Sequence, residues 1–135
     1  METISIDNDI SVFYITASSF PGGVLAAHQQ LHAMVPFSQQ RRYFGISRPE
    51  HGHIVYMAAT EEMERGEAQR YGCGTLILRA GSYLAKTIHN YMQHIPAIGD
   101  TFQLLLSQPG IDPQDYCLEL YLNDKDLRYM VRLAV

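Results

Sequence analysis

Tyr116-Cys117-Leu118-Glu119-Leu120-Tyr121-Leu122 is short, β-prone and almost wholly apolar, with one carboxylate at its centre. In a strand, successive side chains point to opposite faces. Tyr116, Leu118, Leu120 and Leu122 therefore share one face, and Cys117, Glu119 and Tyr121 the other. The leucine face reads as the side that packs on a helix. The opposite face sets a lone acid between a thiol and a phenol, an odd composition for a solvent face. A buried, unpaired carboxylate costs several kcal/mol or has its pKa raised. An acid among aromatic rings suits a ligand with a positive, greasy body, so the reading turns on where that face looks.

Toward the C-terminus, Asn123-Asp124-Lys125-Asp126 reads as a hairpin turn, and residues 128–135 as a last strand with Tyr129, Val131, Leu133 and Val135 on one face. Before the key strand, His94-Ile95-Pro96 starts a helix carrying Ile98, Phe102, Leu105 and Leu106; it ends near Pro109-Gly110, and Asp112-Pro113 makes a turn. Residues 75–78 form a strand that bends or bulges at Ala80-Gly81-Ser82 and continues over 83–88.

The first half repeats this order. Residues 11–16 are β-branched and aromatic, and Ser18-Ser19-Phe20-Pro21-Gly22-Gly23 breaks that strand. Val24, Leu25, Leu31, Met34 and Val35 make a helical stripe that stops at Pro36. Strands over 43–48 and 54–59 flank a turn at Pro49-Glu50-His51-Gly52, and residues 61–69 read as a short helix or an exposed loop. The chain is thus strand, helix, strand, strand, twice over. A shift of 73 positions lays Tyr43 on Tyr116, Pro36 on Pro109, and Tyr56-Met57 on Tyr129-Met130. That period is too long for a solenoid. The expectation is one α+β domain over 1–135, built from a repeat at about 10–62 and another at about 75–135. It would form an antiparallel sheet with helices on one side and a cleft between the repeats. Under the same shift Ile46 matches Glu119, while Phe44 and Arg48 match Cys117 and Tyr121. The scaffold is symmetric but its acid is not, as a binding site would leave it.

At 135 residues, 47% hydrophobic and 18% charged, the chain can bury a real core. A net charge of −4 argues against direct contact with nucleic acid, which wants a basic surface. No run of 18 apolar residues spans a membrane, and Met1-Glu2-Thr3-Ile4-Ser5-Ile6-Asp7 lacks the basic start of a signal peptide. Cys73 and Cys117 have no CxxC spacing, so a reduced cytoplasm is the default.

The double strand–helix–strand–strand order, Ala80-Gly81-Ser82-Tyr83 in the middle and Leu118-Glu119-Leu120-Tyr121 late in the chain together resemble the GyrI-like (gyrase-inhibitor-like) domain. That is an effector-binding module of many AraC- and MerR-type transcription regulators, also found alone. The resemblance covers nearly the whole chain and implies a cleft in which a late-strand glutamate, here Glu119, meets cationic, lipophilic compounds. It is similar to the stand-alone type, so action on DNA would need a separate regulator as partner. Members often have Trp in the cleft; this chain has none, so Tyr and Phe would serve.

The expected ligand contacts are Glu119, Tyr121, Cys117, Phe44, Ile46, Arg48, Tyr56, Tyr83 and Tyr91, with no cofactor and no metal. Tyr83 follows the bulge, which could aim it either way. Arg48 is a candidate partner for Glu119 in an empty cleft, as are Arg128 and Arg132 on the neighbouring strand. His28 and His32 stand at i and i+4, a zinc-compatible spacing, but no HExxH follows and solvated histidines explain them. Cys117 reads as a small filler rather than a reactive thiol. Binding of a lipophilic cation is the first reading. A hydrolase of strained, cyclopropane-type electrophiles, with Glu119 as general base and Tyr121 as proton donor, is the second, since some GyrI-like proteins do this. A gyrase-modulating interaction with a topoisomerase is the third.

Overall fold

The computed structural model describes residues 1–93, 96–112 and 115–134, and the side chains of all of these but 96–99. The expected helix start at His94-Ile95, Pro113 in its turn, Val135 and the side chain of Ile98 lie outside the described residues.

Strands β1 (Glu2–Ile6) and β2 (Ile10–Thr16) lead into helix α1 (Val24–Met34) and the hairpin β3 (Tyr43–Glu50)–β4 (His53–Glu61). A short helix α2 (Glu67–Arg70) precedes β5 (Gly74–Leu78) and β6 (Gly81–Ile88); a 3₁₀ turn (Tyr91–Gln93), helix α3 (Pro96–Leu106) and the hairpin β7 (Cys117–Tyr121)–β8 (Leu127–Arg132) follow. All strand pairs are antiparallel, in one sheet of order β1-β6-β8-β7-β3-β4-β2-β5. The expected double unit is there: β2-α1-β3-β4 and β6-α3-β7-β8 meet where β3 pairs with β7. The β3–β4 turn is only His51-Gly52, both at positive φ, as a two-residue hairpin requires.

Two expectations about strands change. β5 and β6 are not one bent strand: β5 pairs with β2 at one end of the sheet, and β6 with β1 and β8 near the other. Gly81, at φ 139°, makes the break, and a Cβ there would meet the Arg132 guanidinium that holds the Ala80 carbonyl. The N-terminal residues, assigned no element above, form β1 through the alternation of Ile4 and Ile6. Each half therefore lends its outer strand to the other.

The leucine face is the larger correction. Eight twisted strands curl into a half-barrel, and the inside of that curl is a core without a helix. Leu118 sits there with Ile10, Val12, Phe44, Ile46, Met57, Tyr83, Ala85 and Met130, and Leu120 packs against them. The helices lie on the other face, the one carrying Glu119. α1 packs on β4 and β2 through Ala27, Leu31, Phe13 and Ala58, and α3 on β8 and β6 through Leu105 against Leu127, Tyr129 and Val131. Neither helix covers the central pair β3–β7, which becomes the floor of a groove between them.

Candidate functional site

Glu119 sits at the centre of that floor, opposite Gly45 across β3–β7 and opposite Tyr129 across β7–β8. A Cβ at position 45 would collide with Glu119 Oε1 and with the Tyr56 hydroxyl. Only glycine lets the carboxyl and the phenol meet over bare backbone. There the Tyr56 hydroxyl donates to Glu119 Oε1 at 2.7 Å. The same hydroxyl lies 2.8 Å from His28 Nε2, and the Tyr121 hydroxyl 3.3 Å from that nitrogen. His28 is on α1, between the turns that bury Ala27 and Leu31, and so reaches over the groove edge.

Glu119 is 8% exposed. Among the described residues no ion pair includes it. Arg128 reaches Thr87, and Arg132 holds Ala80 and the Asp112–Asp115 corner. Burial pushes the Glu119 carboxyl above the usual carboxylate range, and the hydroxyls of Tyr56 and Tyr129 only partly oppose this. The Tyr129 hydroxyl does not reach hydrogen-bond geometry; it is buried without a partner among the described residues. Tyr56 and Tyr121 are pushed well up by burial and by the nearby carboxyl. Burial, then the charge of His32, lowers His28 to about 4, so its ring is neutral at pH 7.

Around this floor lies a cavity of about 1300 Å³, above the roughly 300–1,000 Å³ of drug-sized sites. Its walls are aromatic. Tyr91 meets Tyr121 edge-on at 6.1 Å, Phe20 stacks on Tyr56 at 5.9 Å, and Phe37 stacks on Tyr43 at 5.6 Å with His32 beside it. Phe20, Leu25, Phe37, Met92 and Leu122 stay exposed at the mouth, an apolar rim of the kind that marks a binding surface.

Of the expected contacts, Glu119, Tyr121, Tyr56 and Tyr91 line this cavity. Cys117 shares the Glu119 face but packs in the α3-side cluster, where burial and then the carboxyl push its thiol up to about 11. Phe44, Ile46 and Tyr83 are corrections: all three are buried inside the curl, and Tyr83 donates to the Arg79 carbonyl. Arg48 also faces away from Glu119, holding Glu50 at 2.6 Å and lying over the Tyr116 ring. The cause is one residue of register. The repeat shift overlays Ile46 on Glu119, but β3 pairs Gly45 with Glu119 and Ile46 with Leu118; a slip of one moves every side chain to the other face. His28 is not a solvated bystander either, since it holds two tyrosines, while His32 is exposed with its ring beside Tyr43. Among the described residues no three His, Cys, Asp or Glu gather as a metal site would need. Sequence reasoning missed Gly45, His28, Tyr129, Phe20 and Phe37 as parts of the groove. A glycine amid strand residues and the i, i+4 histidines were the available signals.

No protein-family model matches the sequence, and no curated protein matches it. Solved structures do match. An integron cassette protein from the mobile metagenome of Vibrio cholerae, VCH_CASS2, superposes with a TM-score of 0.75 at 9% identity, over 98% of this chain and 94% of that one. SAV2435, solved bound to tetraphenylphosphonium, matches with a TM-score of 0.65 at 11% identity, over 98% and 92%. A protein of Staphylococcus aureus MU50, described as a bacterial transcription regulation protein, matches at 0.63 and 10% identity, over 99% and 97%. At 9–11% identity these likenesses show a shared fold, the one expected from the resemblance to the GyrI-like domain.

Proposed function

We propose that this protein is a small-molecule-binding domain that takes lipophilic cations into the groove around Glu119, in the manner of the effector-binding modules of transcription regulators. The observation that carries the reading is a buried carboxyl with no counter-ion among the described residues, at the floor of an aromatic cavity. A folding requirement would have paired that acid or replaced it; a cationic guest supplies the missing charge. The tyrosine faces add about 0.5–2 kcal/mol per ring in contact with the cation. The binding of tetraphenylphosphonium by SAV2435, which shares the fold, supports the same ligand chemistry. The test is dye binding. Glu119→Gln should weaken a cationic aromatic dye by tenfold or more and leave a neutral one of the same shape nearly unchanged. Equal losses for both would defeat the proposal.

One observation favours a second reading. The chain from His28 through Tyr56 to Glu119 is the kind of array that moves protons in acid–base catalysis. It suits hydrolysis of a strained, cyclopropane-type electrophile, with Glu119 activating water and Tyr121 donating a proton. Turnover of such a compound, lost in Glu119→Gln, separates enzyme from binder.

A further inference from the structure

The Tyr56 hydroxyl has one proton and stands between two groups that can each accept it, Glu119 Oε1 at 2.7 Å and His28 Nε2 at 2.8 Å. Proton counting then ties the state of one end to the other. If Glu119 is ionised it has no proton to give, so Tyr56 must donate to it. His28 must then carry its proton on Nε2 and donate to the Tyr56 oxygen. If Glu119 carries its proton on Oε1, the oxygen that faces Tyr56, the chain runs the other way. The carboxyl donates to Tyr56, Tyr56 donates to a bare Nε2, and the ring proton sits on Nδ1. Any mixed order leaves a donor facing a donor, or a buried lone pair unmet, which costs free energy.

We propose that His28 is the positioning residue of the ligand site and the exit for its proton: entry of a cation beside Glu119 reverses the hydrogen-bond chain and switches the His28 tautomer. The step balances. The Glu119 proton passes to the Tyr56 oxygen, the Tyr56 proton passes to His28 Nε2, and the Nδ1 proton leaves to water. His28 is only partly buried, so its ring has a way out to solvent. It starts and ends neutral, in keeping with its lowered pKa. The burial that disfavours the charged carboxyl provides the proton to be expelled. The cavity is also lined by Arg41, paired with Glu67, and by Asp124 and Lys125 between β7 and β8; among the described residues the other titratable groups around Glu119 itself are tyrosines and one thiol, Tyr121 and Cys117 on β7, Tyr129 on β8 and Tyr91 on the 3₁₀ turn. All are held neutral by raised pKa values, while His32 lies one helical turn beyond His28 and α3 brings Phe102 to the cavity.

The inference rests on the proposed cation site but is tested separately from it. Side-chain ¹⁵N NMR of the full chain reports which ring nitrogen of His28 carries the proton. In the free protein, raising the pH through the ionisation of Glu119 should move Nε2 from the shift of a bare nitrogen to that of a protonated one. Saturating tetraphenylphosphonium at a pH below that midpoint should do the same and release about one proton per cation. Glu119→Gln, whose amide does not titrate, and Tyr56→Phe, which cuts the chain, should each leave the tautomer fixed with pH. A tautomer that is constant with pH in the wild type overturns the inference, as does one unmoved by bound tetraphenylphosphonium. A tautomer that follows pH with no binding of the cation upholds the relay and defeats the proposed function instead.

Discussion

Among the described residues two glutamates are buried, and they are buried in opposite ways. Glu67, 3% exposed at the start of α2, meets Arg41 at 2.8 Å and accepts backbone N–H bonds from Met63 and Glu64. Burial pushes its pKa up, but the guanidinium and the two amides outweigh that and hold it below the usual range. Glu119, 8% exposed, has one tyrosine for a partner, and its pKa rises. Glu67 closes a corner of the fold with an arginine, while Glu119 has no cation beside it among the described residues. Burial alone therefore says little about the role of an acid; the count of its donors says more.

The comparison predicts different losses when each acid is altered. Glu67→Gln should cost about 3–5 kcal/mol in urea unfolding, because it strands a buried arginine. Tetraphenylphosphonium affinity should stay within roughly threefold wherever the variant is folded.

The pH dependence of stability should carry the mark of the groove. The unfolded chain protonates His28 near its ordinary value of 6.5, while the folded chain keeps it neutral down to about 4. The native state thus binds fewer protons in that window, and stability falls as pH falls from 6.5 toward 4, by on the order of 2–3 kcal/mol. Glu119 slopes the other way. Its raised folded pKa means that stability falls as pH rises from the ordinary carboxylate value toward the raised one. Denaturation of His28→Gln and Glu119→Gln across pH should remove the first slope and the second, respectively.

Glu119→Gln should leave stability at neutral pH unchanged or higher, yet lower tetraphenylphosphonium affinity 10–100-fold, about 1.4–2.7 kcal/mol by titration calorimetry. The smallest effect belongs to the rim. Phe20→Ala removes one ring stacked on Tyr56 and should cost about 0.5–1 kcal/mol of affinity, with neutral and cationic aromatic ligands losing alike.

The repeat, the helices on one side and the setting of Glu119 among tyrosines were legible because alternation, breakers and element order are local signals. Which face met the helices was not. Leu118 and Leu120 look the same whether they pack on a helix or inside a curled sheet, and only the pairing of eight strands decides between these. That error carried Phe44, Ile46, Arg48 and Tyr83 into the expected site, since each was placed by a repeat shift one residue off the true register or by an undecided bulge. Tyr56, Tyr91 and Tyr121 needed no such inference about β3. Gly45 stood out only as a glycine amid strand residues, because its meaning lies in two side chains that cross it from β4 and β7. His28 was visible as half of a histidine pair, but its partners are tyrosines far away in the chain.

A structure of the protein with tetraphenylphosphonium tests the central claim most directly. The account predicts the phosphorus in the groove between α1 and α3, with phenyl rings against Tyr56, Tyr91 and Tyr121 and the cation about 4–7 Å from the Glu119 carboxyl. A cation seated elsewhere, in the small hollow beside Cys73 or on the outer rim with the groove floor empty, would contradict it.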